Sequence, residues 1–268
     1  MQAASATIHY DMFGDVFGDT DASVAGASPA VVLAHGAGGN AISWWQQVPH
    51  FARQHRVVTF DHRGFGRSHC EPGAFRTSHF PDDLLRVLDA ERIERAALVC
   101  QSMGGWTGLP TALRHPERVT CLVLCDTPGG LFTDEIARAL AGAGERIRDA
   151  GIQANAALAP DYPRRQPEMA HLYARISALN TGVGPGALAA LGAPEARIDP
   201  ASLAGFRIPT LVVAGEHDLL FPAESLRRVA ELIPGAAYRE FAGCGHSVYF
   251  EDAPAFNRVV GEFVSKHG

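Results

Sequence analysis

The stretch "VCQSMGGW", residues 99–106, sets one serine between an apolar run and two glycines. A serine hydroxyl is a weak nucleophile until a base takes its proton, and it must stand exposed to reach a substrate carbonyl. A sharp turn from strand into helix gives that exposure. Such a turn strains the backbone and needs small residues two positions before and after the serine, where larger side chains would strike the strand and the helix. Gly104 and Gly105 leave that room after Ser102, and before it stands Cys100, which is small enough for the turn to form. A second stretch, "AHGAGG" at 34–39, follows an apolar run and carries glycines that let backbone amides turn inward. It matches neither the P-loop nor the dinucleotide pattern of phosphate cradles. His35 within it reads as a structural hydrogen-bonding residue.

The elements that must position these residues follow from hydrophobic pattern. Runs at 30–36, 56–64, 96–102, 119–126 and 210–218 are short and rich in β-branched residues, as buried strands are. Between them "PDDLLRVLDAERI" and "SLRRVAELI" place leucine, valine and isoleucine at helical spacing. Alternating strand and helix implies a mostly parallel sheet covered on both faces. "ATIHYDMFGD" reads as an antiparallel edge strand ahead of the series. From about 128 to 205 the rhythm breaks: Ala-rich helical patterns, many Gly and Pro, and no convincing strand. A connecting loop of that length is unusual in a compact domain, so the expectation is a core of residues 1–127 and 206–268 with a helical cap at 128–205. No internal repeat or low-complexity tract interrupts the chain.

Composition excludes several function classes. The 268 residues are 47% hydrophobic and 19% charged, with a formal net charge of −6 and no long single-sign run. Nothing there invites nucleic acid or an anionic bilayer. No apolar segment reaches the roughly 18 residues of a membrane span, and no basic region precedes an apolar core near the N-terminus, so the expected location is cytoplasmic. Cys70, Cys100, Cys121, Cys125 and Cys244 form no C-x-x-C pair and read as reduced thiols; Cys244, inside "GCGHS", is the one nearest to a candidate histidine. No H-E-x-x-H and no ligand-spaced cluster implies a metal, and the expected chemistry needs no cofactor.

"AHGAGG", "TFDHRGFGRS", "CQSMGG", "AGEHDLLFP" and "GCGHSVYFEDAP", in that order and at strand ends, resemble the α/β-hydrolase fold superfamily. The resemblance covers the chain outside the cap and implies that fold, a doubly wound, mostly parallel sheet with an inserted helical cap. It departs from the family's G-x-S-x-G pattern at Cys100. It implies Ser102 as nucleophile and His246 as base, since imidazole alone titrates near neutrality. The acid that orients the imidazole is implied at a strand end. Asp218, closing "LVVAGEHD", fits best, with Asp126 and Glu216 as alternatives. The resemblance further implies an oxyanion hole from the backbone N–H groups of Ala37 and Met103. "FDHRGFGRS" reads as structural. Trp44, Trp45 and Trp106 either line an apolar pocket or pack helices, packing being expected for Trp106; Trp44 and Phe132 are the substrate contacts selected. Phe132, Met169 and Tyr173 face the pocket or the interior of the cap.

The function implied is hydrolysis of a small or medium carboxylic ester, thioester or lactone through an acyl-enzyme on Ser102, with a small-molecule acyl substrate as partner. A homo-oligomer is compatible with it. Carbon–carbon bond hydrolysis, perhydrolase or haloperoxidase chemistry, and cofactor-free oxygenation use the same site in this superfamily. A ligand receptor on a hydrolase scaffold is the non-enzymatic alternative. Serine at position 102 argues against epoxide hydrolases and haloalkane dehalogenases, which would carry aspartate there.

Overall fold

The computed structural model describes residues 6–14, 30–71, 73–149, 156–182 and 185–268. The strands are β1 (Ala6–Thr7), β2 (Tyr10–Phe13), β3 (Ala30–Ala34), β4 (Val57–Phe60), β5 (His69–Cys70), β6 (Ala96–Gln101), β7 (Val119–Cys125), β8 (Thr210–Gly215) and β9 (Ala237–Phe241). Seven of them form one sheet in the order β2-β4-β3-β6-β7-β8-β9. Only β2, on the edge, runs antiparallel, pairing Tyr10 with Phe60; the other pairs are parallel. The short β1 and β5 make a separate antiparallel pair.

Burial on both faces explains why the central strands read as continuous apolar runs. Val32, Ala34, Leu98, Leu122 and Val212 pack on one face. Val31, Leu33, Val99, Val123 and Val213, one residue out of phase, pack on the other. The first face is covered by α1 (Phe80–Ala90), α2 (Gly105–Arg114) and, further along the chain, the helix Ala223–Leu232. In α1, Phe80, Leu84, Val87 and Leu88 fall on one stripe, and Pro81 occupies the first turn, where no backbone N–H is needed. The second face is covered by the C-terminal helix Ala253–His267, which buries Phe256, Val260 and Val264 at four-residue intervals. Truncating a phenylalanine so placed costs roughly 3–5 kcal/mol.

Between β7 and β8 the described residues carry α3 (Asp134–Ala141), α4 (Ala143–Asp149), a single turn at Tyr162–Arg165, α5 (Pro167–Ser177) and three 3-10 stretches. Thr133 caps α3 by accepting from the Ile136 N–H. A single bridge, Leu131 to Ile198, is the only β pairing described there. Residues 150–155 and 183–184 of the expected cap lie outside the described residues. The helices completing the core are then α6 (Ala223–Leu232) and α7 (Ala253–His267). Among the described residues no helix is long and apolar enough to cross a membrane.

Candidate active site

Ser102 stands where β6 passes into α2. Gln101 is still extended, Ser102 has φ +49, and a helical turn follows at once. A non-glycine residue in the left-handed region costs about 1–3 kcal/mol and persists only where its surroundings hold it. Here the clamp is close packing: a Cβ at Gly104 would overlap the Ala34 carbonyl oxygen, and one at Gly36 would come 2.9 Å from Ser102 Cβ. The departure at Cys100 has a steric answer on α2. A Cβ at Gly108 would lie 2.5 Å from Cys100 Sγ, so the room usually left by a strand glycine is left by a helix glycine instead. Burial pushes the Cys100 thiol well above its ordinary range, which makes it a packing group and no nucleophile.

His246, in the turn after β9, reaches Ser102 from the other side. Its Nε2 lies 2.8 Å from Ser102 Oγ and its Nδ1 2.8 Å from Asp218 Oδ2. The carboxylate only accepts, so Nδ1 carries the proton and Nε2 is left to accept from the serine hydroxyl. Burial would lower the imidazole pKa, but the Asp218 carboxylate outweighs it and holds the pKa above 6.5. Asp218 is fixed in turn by the N–H groups of Leu220 (2.7 Å) and Phe221 (2.9 Å), both to Oδ1. The Gln101 amide donates to the His246 carbonyl at 2.8 Å, tying the base to the residue before the serine.

The other two acid candidates are placed elsewhere. Asp126, fully buried with φ +51, accepts from the Gly215 N–H at 2.9 Å, the Cys125 thiol at 3.1 Å and the Val248 N–H at 3.4 Å. It joins β7 to β8 and to the turn after His246, and burial plus the Asp218 charge push its carboxyl up to about 7. Glu216 is solvent-exposed and accepts from the Gly243 N–H at 2.8 Å.

A further carboxylate, Glu251, supports the histidine turn without being singled out by the motif that contains it. Oε1 accepts from the N–H groups of Gly245 (3.0 Å) and Ser247 (3.4 Å), the two neighbours of His246, and Oε2 from the Ala159 N–H (2.9 Å) of the β7–β8 insertion. Gly245 has to be glycine for this docking, since a Cβ there would overlap the Ala159 backbone. Burial pushes Glu251 up to about 7 despite its three N–H donors. The one available signal was an acid five residues after the histidine, in "HSVYFE".

Ala37 borders the serine in the wall of the cavity described below. Met103 sends its side chain into the core, and its N–H is among the first of the helical turn, which lack an intrahelical acceptor. The "AHGAGG" loop is held by His35, whose Nδ1 donates to the Gly36 carbonyl (2.7 Å) and whose Nε2 accepts from the His62 N–H (2.9 Å). Burial lowers His35 to about 4, so it stays neutral and structural. Asn180, just past α5, donates to the Gly39 carbonyl (3.0 Å) and accepts from the Gly66 N–H (3.1 Å), fastening the insertion to this loop. In "FDHRGFGRS" Asp61 accepts from the N–H groups of Ala41 (2.7 Å) and Arg67 (2.9 Å), while Arg63 is buried in a bidentate pair with Asp83.

Ser102 and His246 open into a cavity of about 450 Å³. Among the described residues its polar side chains are Ser102, His246, Gln101, Tyr173, whose hydroxyl is 3.0 Å from Ser247 Oγ, and Trp106; Leu140, Leu191, Leu220 and Phe221 line its apolar wall. Two expected substrate contacts are corrected. Trp44 is fully buried in the second core cluster, its ring centroid 4.5 Å from that of Tyr249, and is not among the described wall residues. Phe132 lies under the Arg197 guanidinium at 3.9 Å, outside the wall. Trp106 both packs in the core and lines the cavity, and Tyr173 lines it too, whereas Met169 packs against the second face. Among the described residues no group of three or more His, Cys, Asp or Glu is placed to hold a metal ion.

Comparison with known proteins agrees with this architecture. A family described as alpha/beta hydrolase fold matches residues 29–253. The protein named "Putative carbamate hydrolase RutD" of Caulobacter vibrioides (strain NA1000 / CB15N) is 29% identical over 270 aligned positions, spanning 96% of this chain and 95% of its own. The 2-hydroxymuconate semialdehyde hydrolase of Pseudomonas sp. (strain CF600) is 31% identical over 252 positions, 90% of this chain and 88% of that one. Among solved structures, the enol-lactonase from Burkholderia xenovorans LB400 superposes with a TM-score of 0.76 at 27% identity, covering 96% of each chain. By fold, by sheet order and by sequence, the chain belongs to the alpha/beta hydrolase fold family of hydrolases.

Proposed function

We propose that the chain is a serine hydrolase that cleaves a small or medium ester, thioester or lactone through an acyl-enzyme on Ser102. The observation that carries this reading is the unbroken hydrogen-bonded line Ser102 Oγ, His246 Nε2, His246 Nδ1, Asp218 Oδ2, with 2.8 Å at each of its two contacts, ending in an apolar cavity. In the first step Ser102 Oγ attacks the carbonyl carbon as its proton passes to His246 Nε2, and Asp218 stabilises the imidazolium. The carbonyl oxygen, now an oxyanion, is received by the N–H groups of Ala37 and Met103; one such donor is worth about 10²–10³ in rate. His246 returns the proton to the leaving oxygen or sulfur. Water, deprotonated by the same imidazole, then attacks the acyl-enzyme and frees Ser102. The insertion between β7 and β8 serves as the lid of the cavity, and the cytoplasm is the location proposed.

Carbon–carbon hydrolysis is the second reading, favoured by the Pseudomonas relative, and it uses the same three side chains. The test is a p-nitrophenyl ester series of rising chain length on wild type and Ser102→Ala, with mass spectrometry after a fluorophosphonate probe. Turnover in wild type, its loss in the variant and probe mass on the Ser102 peptide are expected. Activity that persists without Ser102 would point to oxygenation driven by His246 and Asp218. Neither turnover nor labelling would point to a receptor.

A further inference from the structure

We infer that this site selects uncharged acyl groups and rejects substrates whose acyl chain carries a carboxylate, an inference that rests on the serine hydrolase reading. Among the described residues the cavity wall contains no arginine, lysine, aspartate or glutamate side chain. Two arginines bonded to the backbone beside or in the wall are already committed. Arg146 donates to the carbonyls of Leu219 (2.9 Å) and Leu220 (3.1 Å), and Arg197 stacks on Phe132 while donating to the Gly192 carbonyl at 3.2 Å. Leu220 and Gly192 are wall residues, so each guanidinium is held by the backbone of the wall and is not among its lining side chains. The stretches outside the described residues contain no Lys or Arg, and the single lysine of the chain, Lys266, lies in α7.

Among the described residues the titratable side chains held around the base are carboxyls and not cations. Asp218 bonds His246 directly, Asp126 reaches the Val248 N–H two residues on, and Glu251 holds the amides on both sides of the imidazole. A carboxylate brought into this apolar space would lose its water, find no arginine or lysine among the described lining residues and approach the Asp218 carboxylate. A neutral chain of the same length loses nothing comparable, and its apolar surface is what Leu140, Leu191 and Phe221 are placed to cover.

The experiment compares mono-p-nitrophenyl adipate with its methyl ester, p-nitrophenyl methyl adipate: one acyl chain with the distal carboxylate free or masked. The expected result at pH 7.5 is a kcat/KM at least about 100-fold higher for the masked chain, with the free acid still reacting once forced to high concentration. Ala143, a wall residue on α4, offers the converse arm: Ala143→Lys should narrow that ratio at least about tenfold, and an unchanged ratio would count against the inference. Equal or faster turnover of the free adipate by wild type would overturn the inference and leave the hydrolase reading intact. Absence of turnover of both esters together with unlabelled Ser102 would instead sink the hydrolase reading.

Discussion

Replacing Glu251 by glutamine should make the protein more stable at alkaline pH and less active, a combination that follows from one side chain. The carboxyl of Glu251 is raised from an ordinary 4.5 to about 7, first by burial. A raised acid favours folding while protonated: its contribution is complete below about 4.5 and is lost as pH climbs through about 7. The span of roughly 2.5 units corresponds to about 3 kcal/mol. Glutamine has one acceptor oxygen and one donor group, as the protonated acid does, and it does not titrate. The two proteins should therefore match in stability near pH 5, and the variant should be ahead by up to about 3 kcal/mol near pH 8, on the order of 6–12 °C in Tm for a chain of this size. Activity should move the other way. Only the carboxylate has acceptors for Gly245, Ser247 and Ala159 at once. With glutamine either the His246 turn or the β7–β8 insertion at Ala159 loses its tie, and a displacement of about 1 Å at a base costs on the order of 10²-fold. We expect kcat to fall about 10- to 100-fold with KM changed much less, read by steady-state kinetics and by thermal scans at pH 5 and 8. A variant with wild-type kcat and a wild-type slope of Tm against pH would refute the assignment.

Asp218→Asn keeps the shape of the acid but offers Nδ1 of His246 a donor where it needs an acceptor; kcat should drop about 10⁴-fold with the fold intact by circular dichroism. Gly104→Ala drives a Cβ into the Ala34 carbonyl, and backbone cannot rotate away; a loss of about 2 kcal/mol or more in denaturant midpoint and a slower acylation burst are expected. Because His246 acts as a base only when neutral and is held above 6.5 by Asp218, kcat/KM should rise with pH through a midpoint above 6.5. A flat profile from pH 5.5 to 8.5 would contradict that.

What the sequence made legible was whatever repeats locally. The central strands are apolar at every position because both faces are covered, so Val31 to Leu33 and Leu122 to Leu124 announce themselves. The serine turn is likewise local, its small neighbours lying within a few residues. The acid was harder: Asp126, Glu216 and Asp218 all close neighbouring strands β7 and β8, and only the turn that puts Asp218 Oδ2 against His246 separates them. Hidden altogether were the partners that act across the chain. Gln101 meets His246, Asn180 meets Gly39, and Glu251 meets Ala159, and none of these pairs leaves a periodic trace. Aromatic residues misled for the same reason. Trp44 looked available to a ligand, but its position is decided by Tyr249, some two hundred residues away.

The pairing of Cys100 with Gly108 also makes two positions share one space. A Cβ at 108 would lie 2.5 Å from Cys100 Sγ and 2.8 Å from Leu122 Cδ1, so the sulfur on the strand and a side chain on the helix compete for the same volume. A substitution at either position is therefore to be judged with the other in view, and the strand and the helix of this turn behave as one steric unit.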